Sequence, residues 1–258
     1  MGGIFATGLV RAGWDSSDIS LAVRRPERGK ELELAMGASW TLDTPAAAVG
    51  KDVLVVAVKP KDIRDLLRSI ADVVTPEQTV VSIAAGVPLE VFETELEGIP
   101  VVRSMPNTPS AVDRGMAAFT VGSNVGSAER ERAAAVLGAV GETIELSEDL
   151  LDAVTAVSGT GPAYVFLLAE SLIEAAIREG LPHHAAEKLV HQTLRGSGEL
   201  LATSDKSAFR LRGEVTSPGG TTAAAMHVLE EGGFRALVED AVQSAAQRSR
   251  DLGSRASD

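Results

Sequence analysis

Residues 53–58, VLVVAV, form six consecutive apolar positions with no alternation, stopped by Lys59-Pro60. A strand reads this way when both faces are covered, as happens in parallel sheets flanked by crossover helices. Further strand-like stretches recur at 79–83, 101–105 and 19–23, with weaker ones at 117–121 and 143–146. Helical stretches at 26–36, 62–74, 89–96 and 127–139 fall between them. This alternation, with connections short enough for βαβ units, predicts an α/β fold built on a doubly wound parallel sheet.

After Ser147 the pattern changes, and no convincing strand follows. Helices are expected at 150–157, 163–177, 183–202, 207–215, 221–231 and 234–252, with Ser158-Gly159-Thr160-Gly161-Pro162 breaking the first from the second. The 163–177 helix is apolar almost all round, interrupted only by Glu170, Ser171 and Glu174. Such a helix needs cover on every side, and a second copy of the chain is the natural cover. Two domains are therefore expected: residues 1–147, a Rossmann-type nucleotide-binding domain, and residues 148–258, an all-helical dimerisation domain.

Composition narrows the partners. A formal net charge of -12 argues against nucleic acid, so a small molecule is the expected ligand. The absence of cysteine removes disulfides and thiolate chemistry, and a cytoplasmic location fits. No apolar run in the sequence approaches the roughly 18 residues of a membrane span, so no membrane partner is expected. His183, His184, His191 and His227 lack metal-site spacing, and no metal is expected.

In doubly wound sheets, ligands bind outside the carboxyl ends of the strands. Those ends carry Arg24-Arg25, Lys59-Pro60, Ala84-Ala85-Gly86 and, after residue 105, Pro106-Asn107. The opening MGGIFATGLVRAGW reads as a helix with no strand before it, so Gly2 and Gly3 supply at most the tail of a glycine-rich phosphate loop. Two readings stand open: another fold, or a Rossmann unit whose first, central strand of about ten residues is missing from the chain as written. The second is preferred. An acidic residue after the second strand would select NAD; Arg24 and Arg25 instead suit the extra phosphate of NADP, or are simply solvated.

A second landmark is EVTSPGGTTAAAM at 214–226. Ser217-Pro218-Gly219-Gly220 makes a turn, and a helix capped by Thr221 or Thr222 should follow it. The exposed donors of that helix start suit a carboxylate, although a capped turn with nothing bound has the same sequence.

Five segments occur in order: Ala57-Val58-Lys59-Pro60, Ser82-Ile83-Ala84-Ala85-Gly86, Arg103-Ser104-Met105-Pro106-Asn107-Thr108-Pro109, Ser158-Gly159-Thr160-Gly161-Pro162-Ala163-Tyr164, and Val215-Thr216-Ser217-Pro218-Gly219-Gly220-Thr221-Thr222. Together they closely resemble pyrroline-5-carboxylate reductase, over residues 1 to about 252. The resemblance implies NADPH, with NADH possible, as cofactor and 1-pyrroline-5-carboxylate as substrate, reduced to L-proline in the last step of proline synthesis. It also implies a homodimer within a larger homo-oligomer. The substrate carboxylate would lie on Ser217, Gly219, Gly220 and Thr221, with Thr222 as the catalytic hydroxyl near the ring nitrogen. Asp205 falls where some members carry a glutamate contacting that nitrogen. Cofactor contacts would come from Gly2, Gly3, Arg24, Arg25, Thr44, Ala57, Val58, Lys59, Pro60, Ala84, Ala85 and Asn107. Thr44 replaces a frequent asparagine, and Thr160 a frequent serine. A catalytically impaired dimeric fragment lacking the pyrophosphate loop is the alternative function.

Overall fold

The computed structural model describes residues 1–257; Asp258, the last residue of the expected helical domain, lies outside the described residues. The chain divides into two compact units. One comprises residues 1–160 together with the chain from Ser244 onward, and the other is Gly161–Gln243.

In the first unit, α1 (Gly2–Arg11) opens the chain, followed by β1 (Ser20–Ala22), α2 (Pro26–Met36), β2 (Ser39–Thr41) and α3 (Thr44–Ala48). Next come β3 (Val53–Val56), α4 (Ile63–Ile70), β4 (Thr79–Ser82), α5 (Leu89–Glu95) and β5 (Val101–Met105). β6 (Gly115–Val121), α6 (Ser127–Gly138), β7 (Gly141–Glu145) and the short α7 (Leu151–Val154) complete it. β1 and β2 pair in parallel, with Leu21 opposite Trp40, and β3, β4 and β5 pair in parallel, with Leu54 opposite Val80 and Val81 opposite Val102.

Several features differ from the expectation, α3 among them, which was not foreseen. The larger sheet is mixed, because β6 runs antiparallel to β5, Ser104 lying opposite Phe119. Only a short turn containing a 3-10 segment joins those strands, and a parallel return needs a crossover of a dozen residues or more. β2 was not foreseen, since Ser39-Trp40-Thr41 offers three half-exposed or exposed residues and no apolar run.

Among the described residues the strands form two sheets, β1-β2 and β3-β4-β5-β6-β7, with no ladder joining β1 to β3. Three of the four β3 residues are only partly buried, whereas all four of β4 are buried. The covering layers nevertheless run across both sheets. On one face, Ala6 and Leu9 of α1 pack with Leu32 and Met36 of α2, and Leu21 and Val53 pack against them. In a second cluster, Ala48 of α3 joins Val56, Ile63, Leu67, Ile70 and Phe92. Burial of this order, at about 25 cal/mol per Å2 of apolar surface, is what holds helices to sheet.

The end of the chain returns to this unit. Ser249, buried on the last helix, α12 (Phe234–Ser257), donates to Asp152 Oδ1 of α7 at 2.6 Å.

The second unit is helical: α8 (Gly161–Arg178), α9 (His183–Thr203), α10 (Ala208–Glu214), α11 (Thr221–Glu231) and the first turns of α12. Within Ser158-Gly159-Thr160-Gly161-Pro162 the interruption is confined to one bend, at Thr160. Thr155–Gly159 widens into a π-turn and α8 follows at once, with Pro162 in a first turn where its missing N–H is not needed. Helix therefore runs over Glu148–Arg178, 31 residues, long and apolar enough by length and composition to cross a membrane. The sequence expectation of no such run counted its two halves separately. No residue of α8 is buried, and Val165, Phe166 and Leu167 are 48%, 61% and 63% exposed.

β6 and β7 meet at a pair of glycines. Gly115 lies opposite Gly141, whose φ is +151° and whose missing Cβ would overlap the Gly115 carbonyl. Backbone cannot move aside as a flexible side chain can. Gly141→Ala is expected to lower the free energy of unfolding by about 3 kcal/mol in urea denaturation, combining backbone strain with overpacking.

Candidate active site

The carboxyl end of β3 meets the start of α1. That helix has Met1 as N-cap with no side-chain cap, no acidic residue in its first turn, and glycine at its first two positions. A Cβ on Gly2 would sit 2.9 Å from Ala57 Cβ, and one on Gly3 would sit 2.6 Å from an Arg28 guanidinium nitrogen. Gly2 therefore lies against the end of β3, and Gly3 against the basic start of α2. Among the described residues the Gly2 and Gly3 amides have no hydrogen-bond acceptor. Uncapped amides, a positive helix end and nearby arginine are the donor set that a dinucleotide phosphate requires, so these residues fit that group.

Arg24 and Arg25, which follow β1, are both exposed. Arg24 reaches Asp62, its Nη2 2.9 Å from Oδ2, whereas Arg25 is the N-cap of α2. Thr44 is the first residue of α3, partly buried behind the Asp43 cap, which accepts the Ala46 amide. After β3, Ala57, Lys59 and Pro60 are exposed and Val58 is half-buried; Lys59 precedes the 3-10 turn Pro60–Asp62.

Polar contacts fix the next two strand ends. Ser82 Oγ accepts the Ala84 amide at 3.3 Å, and Ser104 Oγ donates to the Ser82 carbonyl at 3.0 Å. Ala84 is thus buried and held, leaving Ala85 exposed at the tip. Gly86 turns the chain with φ +73°, and Leu252 of α12 lies 3.7 Å from its Cβ position.

Asn107 is a crosspiece. Its amide nitrogen donates to the Ser158 carbonyl at 3.1 Å and to Ser158 Oγ at 3.3 Å, while its amide oxygen accepts the Met116 N–H at 2.9 Å. The Asn107 side chain therefore joins β6 to the π-turn. Gly159 in that turn comes so close to Met105 that a Cβ would lie 2.5 Å from its terminal methyl.

In the second unit, the Gly220 N–H donates to the Ser217 carbonyl at 3.1 Å, closing a turn with Pro218 second and Gly219 third at φ +68°. That pattern is the type II turn, whose third residue needs positive φ. Gly220 is itself the N-cap of α11, so neither Thr221 nor Thr222 caps the helix as expected. The helix starts one residue earlier than the threonines would set it, and Ser217 Oγ lies in the space a Gly220 Cβ would take. Without a side-chain cap, the amides of Thr221, Thr222 and Ala223 have no acceptor among the described residues. Ser217, Gly219 and Thr221 are exposed, and Thr222 is partly buried. Asp205 is exposed in the connection between α9 and α10, beside Lys206, which pairs with Glu214 at 2.9 Å.

Sequence reasoning missed three contributors to the strand ends. Arg28 had a readable signal, one turn beyond Arg25 on a basic helix start. Asp62 and Glu148 had none, because their partners are distant in sequence. Glu148 Oε1 accepts both the Arg103 guanidinium at 2.7 Å and the Leu89 amide at 2.8 Å. Arg103 is only 9% exposed, so the carboxylate neutralises a nearly buried cation while capping α5. Glu148→Ala is expected to cost about 2 kcal/mol in urea denaturation, reduced from the fully buried case by the solvent on Glu148. Glu148→Gln should cost less, because an amide oxygen still accepts from Leu89.

Two family models match the chain. Residues 148–252 match the model for pyrroline-5-carboxylate reductase dimerisation, and residues 1–86 match that for NADP oxidoreductase, coenzyme F420-dependent. A pyrroline-5-carboxylate reductase of Corynebacterium melassecola is 39% identical over 98% of this chain and 95% of its own length. Among solved structures, the pyrroline-5-carboxylate reductase of Coxiella burnetii superposes with a TM-score of 0.92 at 36% identity, covering 96% of this chain and 93% of that one. The Plasmodium falciparum pyrroline carboxylate reductase, solved with NADP bound, gives 0.87 at 29% identity over 98% of this chain and 94% of that one. With uncapped glycine starts at both α1 and α11, and with relatives of this similarity along nearly its whole length, the chain belongs to the pyrroline-5-carboxylate reductase family.

Proposed function

We infer that the chain reduces 1-pyrroline-5-carboxylate to L-proline with NAD(P)H, the last step of proline synthesis. Membership of the family carries this reading, and the single structural observation behind it is the pair of uncapped, glycine-led helix starts, one in each unit. A functional boundary between residues 147 and 148 is supported by the start of the dimerisation match, whereas the compact units divide after Thr160.

The bound nicotinamide supplies the hydride. The chain's residues supply placement, which is most of what imine reduction asks of a protein. Gly2 and Gly3 amides and the α1 start hold the pyrophosphate, and Arg24 and Arg25 hold the NADP phosphate. Thr44, Ala57, Val58, Lys59, Pro60, Ala84 and Ala85 line the cofactor's path, small side chains leaving room at the strand tips. Asn107 contributes by holding the loop after β5, since its amide is engaged by Ser158 and Met116. The turn of Ser217, Gly219, Gly220 and Thr221 takes the substrate carboxylate, and Thr222 hydrogen-bonds the ring nitrogen, with Asp205 close by. Hydride transfer requires the substrate carbon and the nicotinamide to come together. Protonation of the basic ring nitrogen makes the neighbouring carbon electrophilic, so no strong acid is required of the protein.

The unburied apolar helix α8 is covered by a second copy of the chain, giving a homodimer that assembles further in a cytoplasmic enzyme. The family match to a dimerisation region favours this cover over lipid.

Three measurements check the reading. Thr222→Ala should lower kcat about 10- to 100-fold without abolishing reduction, the loss expected for a positioned hydrogen bond; unchanged kcat and KM would remove Thr222 from the site. Arg24→Ala should raise KM for NADPH about tenfold and leave KM for NADH nearly unchanged. Light scattering should find the wild type oligomeric without detergent and Phe166→Asp shifted towards monomer, whereas a detergent requirement would favour lipid cover.

A further inference from the structure

The three arginines around the start of α2 differ in what they touch. Arg28 pairs locally with Glu31 at 2.7 Å, and Arg25 has no ion-pair partner among the described residues. Arg24 instead reaches from the end of β1 to Asp62, which closes the turn after β3. The contact therefore spans the break between the two sheets, at the carboxyl ends where a dinucleotide lies.

The Asp62 end is the more buried, its side chain 21% exposed against 66% for Arg24. Asp62 Oδ2 is wholly inaccessible and receives no aligned hydrogen bond, although the Arg24 nitrogen stands 2.9 Å away. The pair is thus held by charge without the forked geometry that makes arginine–oxyanion pairs strong. A phosphate monoester, with three oxygens and nearly two charges, offers Arg24 the two-pronged partner that Asp62 does not. It would also stand close to the Asp62 carboxylate, and like charges repel.

We propose that Asp62 is a specificity-determining residue that competes with the 2′-phosphate of NADP for Arg24, and so holds down the preference for NADPH over NADH. This rests on the assignment of Arg24 to that phosphate. Removing the Asp62 charge frees the guanidinium and removes the repulsion, so phosphorylated ligands gain while unphosphorylated ones do not.

The test is calorimetric titration of the purified full chain with adenosine 2′,5′-bisphosphate and with 5′-AMP, which needs no turnover. Asp62→Asn, nearly isosteric, should tighten the bisphosphate about 5- to 10-fold and change 5′-AMP less than about twofold, in the range of one charge-assisted contact. Asp62→Ala should do the same, guarding against an effect peculiar to asparagine. In the Arg24→Ala background the Asp62→Asn effect should shrink to less than about twofold, because a competitor has nothing left to compete for. Weaker or equal binding of both ligands to Asp62→Asn, or an undiminished effect without Arg24, overturns the proposal. If Arg24→Ala alone leaves bisphosphate binding unchanged, the phosphate assignment itself fails and takes the proposal with it. If Arg24→Ala weakens the bisphosphate but Asp62→Asn does not tighten it, only the role of Asp62 falls.

Discussion

An α-helix leaves the first amides of its backbone without partners, and the protein must meet them with a side chain, water or a ligand. At α1 and α11 this chain supplies no side chain. In both places glycines lie close to a neighbour, Gly2 against Ala57 and Gly220 against Ser217. Donors that are bare, pre-aligned and backed by a helix dipole favour an anion without having to reorganise. A dinucleotide phosphate and an amino-acid carboxylate are the two anions the proposed reaction brings together.

Much of the remaining polar chemistry in the first unit stiffens the strand ends. Ser82, Ser104, Arg103 with Glu148, and Asn107 with Ser158 each spend their hydrogen-bonding capacity on backbone or on one another. Buried polar groups satisfied in this way fix loop positions, whereas unpaired ones would cost about 1–3 kcal/mol each. Ala57 and Ala85 are left exposed after β3 and β4. Leu252, from the far end of the chain, lies over Gly86 and adds packing there.

The elements with strong local signals were legible in the sequence. β5 was read at its observed bounds, and VLVVAV announced β3, because a short run of apolar residues ending at Lys-Pro suits little besides a strand covered on both faces. β2 was not legible, since three residues with one aromatic carry no period; it exists because β1 offers it a partner, and Trp40 packs on Gly29. The antiparallel turn into β6 followed from loop length and could have been read from the short 106–114 connection. The Ser-Gly-Thr-Gly-Pro segment interrupts the helices only at Thr160, less than its glycines and proline suggest. Here Gly159 admits Met105, and Pro162 lands in a first turn that tolerates it. Within the site, glycine positions were legible and pairings were not. Arg24 could be picked out as a cation at a strand end, but nothing in the sequence tied it to Asp62, 38 residues on in the chain, a relation only the fold creates.

Catalysis in this account is placement: bare helix starts hold two anionic molecules so that hydride passes directly between them. The most direct measurement supplies the purified chain with 1-pyrroline-5-carboxylate and NADPH deuterated at the transferable position, and then analyses the product by mass spectrometry. The account predicts L-proline one mass unit heavier, with the deuterium on ring carbon 5. Proline without the label, or no proline from a folded and oligomeric chain, would contradict it.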